Sequence, residues 1–111
     1  MNTTLPLPAA LPGRLERLDG RAGPLAVYVD GEGPPLVLIH SINAAASAFE
    51  VEPVYVRLRE RFTVFAPDLP GFGHSDRSDR RYDPELYTSA VQDVVAEALR
   101  ATGAPAVHAL A

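Results

Sequence analysis

The chain has 111 residues, enough to bury a hydrophobic core but few for a complete doubly wound α/β domain. Its 47% hydrophobic and 22% charged residues are typical of a globular protein and argue against a disordered one. The net charge is −4 and the 10 basic residues are arginines spread along the chain, which argues against nucleic-acid and anionic-membrane partners. Cysteine is absent, which excludes disulfides and thiolate metal sites.

The first residues predict an irregular leader. Range 1–13 contains Pro6, Pro8 and Pro12 and lacks the basic start of a signal peptide, so we expect it to lie outside the core. No apolar run in the chain approaches the roughly 20 residues that span a bilayer. We therefore expect a cytoplasmic protein without a membrane partner, with one partial domain over 14–111.

Two strands are predicted at the start of this domain. Arg14–Asp19 alternates charged and apolar residues as an edge strand does, and Pro24–Asp30 places apolar residues at alternate positions. A turn at Gly20–Gly23 joins them, and the Gly- and Pro-rich segment 30–35 predicts a second reversal. The domain thus begins as an antiparallel pair.

The central run, Leu36–Ile39, has no polar alternation, so both of its faces should be covered, as in a parallel sheet flanked by helices. His40 marks the point where this strand leaves the core. In open α/β sheets ligands bind beyond the carboxyl ends of the strands, which makes Ser41–Ala46 the first candidate for a functional loop.

A strand–helix–strand unit continues the chain. Ser47 and Glu50 have the spacing of a capping box, and the position of Pro53 favours a regular helix over 52–60. Phe62–Pro67 is rich in β-branched and aromatic residues and predicts a strand parallel to the central one. The expected inner face of the helix carries two residues four apart, Val54 and Leu58.

The second helix has clear start and stop signals. Asp83 is a predicted N-cap followed by a first-turn proline, while Gly103 and Pro105 mark the C-terminus. Ala106–Ala111 then begins another apolar strand. The apolar residues of the helix fall on one face: Leu86, Ala90, Val91, Val94, Val95, Ala98 and Leu99.

The order of these elements, together with the run DLPGFGHS at Asp68–Ser75, resembles the N-terminal part of the α/β-hydrolase fold family. The resemblance covers roughly 14–111. It implies an α/β fold with about five strands and two main helices, mostly parallel after an antiparallel start. It also implies hydrolysis of an ester, amide, epoxide or related bond in a small-molecule substrate, without a metal or cofactor.

In that family the loop after the third strand supplies one backbone N–H of the oxyanion hole. By position His40 and Ser41 match the usual His-Gly pair, so the resemblance assigns the N–H to Ile42, supported by His40 and Ser41, and places Asn43 at the substrate. Serine in place of glycine is a departure from the family pattern, because its Cβ restricts the backbone of the loop.

The catalytic groups of the family are missing from the sequence. Its nucleophile lies in Gly-x-Ser-x-Gly after the fifth strand, followed by an acid and a histidine, and the 111 residues contain no such motif. We therefore expect this chain to be inactive alone, whether it is part of a longer enzyme or a distinct short protein.

Other residues could in principle substitute for the missing groups, but each has a simpler structural role. Ser41 lacks the flanking glycines of a nucleophile elbow, and His74 is better placed to hydrogen-bond its loop than to act as a base. Asp68 could be a catalytic carboxylate but more simply caps backbone amides. His40 is expected to orient the loop, and His108 to be a hydrogen-bonded core residue.

A non-enzymatic role is the rival hypothesis. The chain could be a binding module or half of a split protein, because in the family the fifth strand lies inside the sheet beside the third. Left at an edge, this apolar strand would expose unpaired backbone groups. The sequence thus predicts self-association or a C-terminal partner through the last strand.

Overall fold

One mixed five-stranded sheet organises the protein, whose computed structural model describes residues 11–41, 48–72, 75 and 82–111. Across the sheet the order is β1-β2-β4-β3-β5. The β1–β2 and β2–β4 pairs are antiparallel, and β4–β3 and β3–β5 are parallel, which confirms the expected α/β class. The strands are β1 (Arg14–Gly20), β2 (Gly23–Asp30), β3 (Pro35–Leu38), β4 (Thr63–Asp68) and β5 (His108–Leu110).

Helices cover both faces of the sheet. The short helix α1 (Glu52–Leu58), preceded by a 3-10 turn at Ala48–Val51, packs on one face, and α2 (Pro84–Thr102) packs on the other. Strand β3 is buried along its whole length, as its unbroken apolar run predicted. No helix among the described residues is long and apolar enough to cross a bilayer.

The inner face of α1 differs from the expectation. Val54 is 40% exposed, whereas the neighbouring Tyr55 is fully buried and donates its hydroxyl proton to the Pro12 carbonyl oxygen at 2.8 Å. The aromatic ring buries more apolar area than a valine would, and its hydroxyl finds a partner at the end of the leader. Leu11 is also buried, so the last residues of range 1–13 pack on the sheet, while residues 1–10 lie outside the described part.

Helix α1 begins at Glu52, as expected, but its N-cap residue is Val51 and no side chain caps it. Ser47, the expected cap, lies outside the described residues, and Glu50 bonds elsewhere. The helix ends at Leu58, two residues before the expected end.

Helix α2 follows its sequence signals closely. The Asp83 carboxylate accepts a hydrogen bond from the Leu86 amide at 2.9 Å, and Gly103 adopts φ 70°, the left-handed conformation that ends a helix. Its buried stripe of Ala90, Val94 and Ala98 contacts the sheet. This helix forms one wall beside the carboxyl ends of β3 and β4.

The expectation for His108 was wrong, because its side chain is exposed. Strand β5 lies at the end of the sheet order and pairs with β3 on one side. The His108 ring packs edge-on against Phe62, with ring centroids 5.5 Å apart, instead of entering the core.

Candidate functional site

The candidate site lies where β3 and β4 end side by side. Because the two strands are parallel neighbours, the residues that follow them emerge at the same edge of the sheet. His40 and Ser41 follow β3, and the turn at 69–72 follows β4. The loop predicted to be functional, Ser41–Ala46, begins at this edge.

His40 connects the two strand ends. Its ring is 2% exposed, and its Nε2 accepts a hydrogen bond from the Leu69 amide at 3.0 Å. Because Nε2 is an acceptor, the proton resides on Nδ1, which donates to the Ser41 carbonyl oxygen at 2.6 Å. The ring therefore fixes the peptide that leads into the loop, which is the orienting role expected for His40.

Ser41 is held by an acidic side chain that the sequence analysis had assigned to a helix cap. The Ser41 amide donates to one carboxylate oxygen of Glu50 at 2.9 Å, and its hydroxyl donates to the other at 2.6 Å. These bonds, the hydroxyl one first, lower the pKa of Glu50 below its usual value. The Ser41 hydroxyl thus donates to a carboxylate, whereas a histidine base activates the hydroxyl of a serine nucleophile.

Asp68 fixes the far end of the same loop. Its carboxylate is 1% exposed and accepts a hydrogen bond from the Ala48 amide at 2.7 Å. Ala48 is the first described residue after the loop, so β4 holds the loop where it returns to the sheet. The geometry matches the expected capping role of Asp68 and gives no support to a catalytic one.

The described residues of the DLPGFGHS run, 68–72 and 75, connect β4 to β2 and pack against His40. The Ser75 hydroxyl accepts from the Ala26 amide at 2.8 Å and donates to the Asp68 carbonyl oxygen, which ties the turn to β2 and β4. Gly71 has φ +85° and lies so close to Tyr82 that an added Cβ would come within 2.9 Å of the ring. The Phe72 ring contacts His40 edge-on, with centroids 5.2 Å apart.

Two site residues that sequence reasoning missed are Glu50 and Ser75. Glu50 was identified as half of a capping box, because its spacing from Ser47 fits that motif equally well. Ser75 was noted only as the last letter of a motif. A short hydroxyl side chain closing a Gly-rich turn was the available signal for Ser75; no local signal links Glu50 to Ser41.

Three of the predicted site residues lie outside the described part of the chain. They are Ile42 and Asn43, assigned to the oxyanion hole and the substrate, and His74, considered as a base. Their expected roles therefore stay predictions.

A groove of about 530 Å³ opens beside the loop, between the carboxyl ends of the strands and α2. Ile39, Leu69 and Val91 give it apolar walls, and His40 and Ser41 lie at its polar end. The described residues contain no group of three or more side chains that could hold a metal ion. The groove thus presents apolar surface next to fixed backbone groups, a combination suited to an organic ligand.

Replacing His40 by alanine should destabilise the protein by about 2 kcal/mol, because the buried Leu69 amide loses its acceptor. Chemical denaturation followed by circular dichroism measures the change. His108→Ala is the matched control, since that ring is exposed, and should cost less than about 0.5 kcal/mol. Equal losses in the two variants would contradict the structural role of His40.

Comparison with known proteins places this arrangement in a family. The model of the alpha/beta hydrolase fold family matches residues 34–111. The chain is 32% identical over 71 residues to the 2-(acetamidomethylene)succinate hydrolase of Mesorhizobium japonicum, covering 64% of this chain and 25% of that protein. It is 38% identical over 65 residues to the soluble epoxide hydrolase of a Corynebacterium species, covering 59% and 22%.

A solved structure of a hydrolase resembles this fold. The crystal structure of E-2-(acetamidomethylene)succinate hydrolase superimposes with a TM-score of 0.68 at 29% identity, over 78% of this chain and 32% of that one. The chain spans only 18% to 25% of the length of the curated relatives it matches. The family match covers three of the five strands, and the chain belongs to the alpha/beta hydrolase fold family.

Proposed function

We propose that this chain supplies the oxyanion-loop side of an α/β-hydrolase active site, with the backbone N–H of Ile42 as one donor to the oxyanion. The observation that supports this assignment is the restraint on Ser41. Its carbonyl oxygen is bonded by His40, and its amide is bonded by Glu50.

Peptide geometry connects that restraint to the donor. In a trans peptide the N–H points away from the carbonyl oxygen of the same unit. Holding the Ser41 carbonyl therefore sets the direction of the next N–H along the chain, which is that of Ile42. The Ser41 amide is already bonded to Glu50, which favours Ile42 over Ser41 as the donor to a ligand.

The chemistry of such a donor is electrostatic. Nucleophilic attack on a carbonyl develops negative charge on its oxygen, and a preorganised N–H stabilises that charge by about 3 kcal/mol. In this family the second donor is the residue after the nucleophile. The 111 residues contain no Gly-x-Ser-x-Gly motif, so we propose that they do not catalyse turnover without a segment that supplies nucleophile, acid and histidine.

The substrate class stays broad. The two relatives are named for an acetamido-type substrate and for epoxides, yet each aligns with well over half of this chain. Because relatives with different named substrates share this segment, we infer that it forms a part of the site common to them and does not select the bond that is cleaved. We propose a small-molecule ester, amide, epoxide or related compound as substrate, with Asn43 beside it.

A chimaera tests the role of Ile42. The chain is joined in frame to the part of the Mesorhizobium japonicum hydrolase that begins at its nucleophile elbow, and hydrolysis is measured against the 111-residue chain alone. We expect turnover by the chimaera and none by the chain. Ile42→Pro, which removes the N–H, should lower kcat by about 10²-fold to 10³-fold, while Ile42→Val keeps the N–H and should stay near the parent.

Two results would contradict this assignment. One is an unchanged kcat in the Ile42→Pro chimaera. The other is p-nitrophenyl acetate turnover by the 111-residue chain that is abolished by changing a single residue of that chain.

We also propose that the β5 edge mediates self-association or binds a C-terminal partner. Its three residues are exposed, Leu110 at 45%, and β5 pairs with β3 along one side. An exposed apolar edge strand is a template for pairing with another chain.

Size-exclusion chromatography tests the β5 proposal. We expect the chain to elute larger than a monomer and Leu110→Lys to shift it towards the monomer, because charge opposes edge pairing. Leu15→Lys is the matched control, since Leu15 is 41% exposed on β1 at the opposite edge. A wild-type monomer, or equal shifts in both variants, would contradict self-association through the β5 edge.

A further inference from the structure

A carboxylate clasp holds the start of the candidate loop. We define the clasp as the Glu50 carboxylate with the Ser41 amide and hydroxyl, which donate to its two oxygens at 2.9 and 2.6 Å. The two residues are nine positions apart, so the clasp joins the two ends of the loop. Two hydrogen bonds from one residue to separate oxygens fix orientation as well as distance.

We propose that Glu50 is a positioning residue, whose ionised carboxylate holds the Ser41 backbone in the geometry of the oxyanion loop and releases it on protonation. This inference rests on the proposed function, because the geometry matters through the donor that follows Ser41. Glu50 itself is exposed on the 3-10 turn at Ala48–Val51 and is not proposed to touch substrate.

One of the two bonds of the clasp depends on a serine at position 41. The resemblance places glycine at this position, and glycine could offer only its amide. The hydroxyl adds the shorter of the two bonds, so it exists here because of the departure from the family pattern. A Cβ restricts the backbone at Ser41, and the clasp selects one of the conformations that remain.

Restraints converge on both sides of Ser41. Its amide is bonded by Glu50 and its carbonyl by His40. These groups belong to successive peptide units, so holding both fixes the two backbone dihedrals of Ser41. At the other end of the loop Asp68 holds Ala48, two residues before Glu50, which gives the clasp a rigid base.

The clasp should depend on pH. Its hydrogen bonds from Ser41, the hydroxyl one first, lower the pKa of Glu50. The other titratable or charged groups on the adjoining elements are Asp68 on β4 and Glu52, Tyr55 and Arg57 on α1. Because the folded pKa is depressed, the clasp is intact above the ordinary glutamate value and is lost as pH falls through the lowered value.

Nuclear magnetic resonance of the ¹⁵N-labelled chain tests the clasp directly. We expect the Ser41 amide to shift between pH 7 and pH 3 in one transition, with a midpoint below the usual glutamate pKa of about 4.3. Glu50→Gln should abolish the transition, and Glu60→Gln, at an exposed position beyond α1, should leave it unchanged. A Ser41 transition that persists in Glu50→Gln would overturn the clasp.

Ser41→Ala separates the two bonds. In this variant the chemical shift of the amide at position 41 should still follow the ionisation of Glu50. The midpoint of the transition should rise towards the ordinary glutamate value, because the hydroxyl bond is gone. An unchanged midpoint would show that the hydroxyl does not hold Glu50 and would overturn the two-bond clasp.

The positioning role is tested in the chimaera described above. Glu50→Gln should lower kcat about tenfold at pH 7 with little change in KM, and should remove the acid-side fall in kcat that follows the Glu50 transition. An unchanged kcat and pH profile would overturn positioning. The resonance transition does not depend on turnover, so failure of Ile42 as a donor would leave the clasp result standing and the two failures distinguishable.

Discussion

The two hydrogen bonds of the His40 ring are the constraint on which the site depends. Where β3 and β4 end, the Leu69 amide and the Ser41 carbonyl leave the sheet and need new partners. A neutral imidazole offers one acceptor and one donor at a fixed separation, and the buried ring meets both groups at 3.0 and 2.6 Å. One side chain thereby sets the relative position of two loops that are distant in sequence.

The remaining contacts extend this constraint around the loop. Asp68 holds Ala48, and Ser75 joins the Asp68 backbone to β2, so Ala48 is connected to β4 and, through Ser75, β4 is connected to β2. Such contacts restrict motion without filling the groove beside α2. A site that stabilises developing charge benefits from this arrangement, because its donors need no reorganisation during reaction.

The local elements were largely predictable because their signals are local. Asp83 and Gly103 bound α2 as their cap chemistry requires, and the unbroken run of β3 indicated burial on both faces. Burial of Tyr55 in place of Val54 was not predictable, since it depends on a contact with Pro12 across 43 positions. The exposure of His108 follows from its place at the sheet edge, which apolar neighbours in sequence do not reveal.

The contacts of His40 and Ser41 were not predictable from the sequence. The resemblance led to His40 and Ser41, and the structure gives their hydrogen-bond partners. Glu50 shows why the contacts could not be predicted. Its spacing from Ser47 is typical of a local capping box, but in the fold its carboxylate accepts a hydrogen bond from Ser41, nine residues away.

The most direct measurement of the central constraint is the scalar coupling across the hydrogen bond between the Leu69 amide nitrogen and His40 Nε2 in ¹⁵N-labelled protein. We expect an observable coupling together with a proton on Nδ1. A proton on Nε2 with no coupling to Leu69 would contradict the account of how this loop is held.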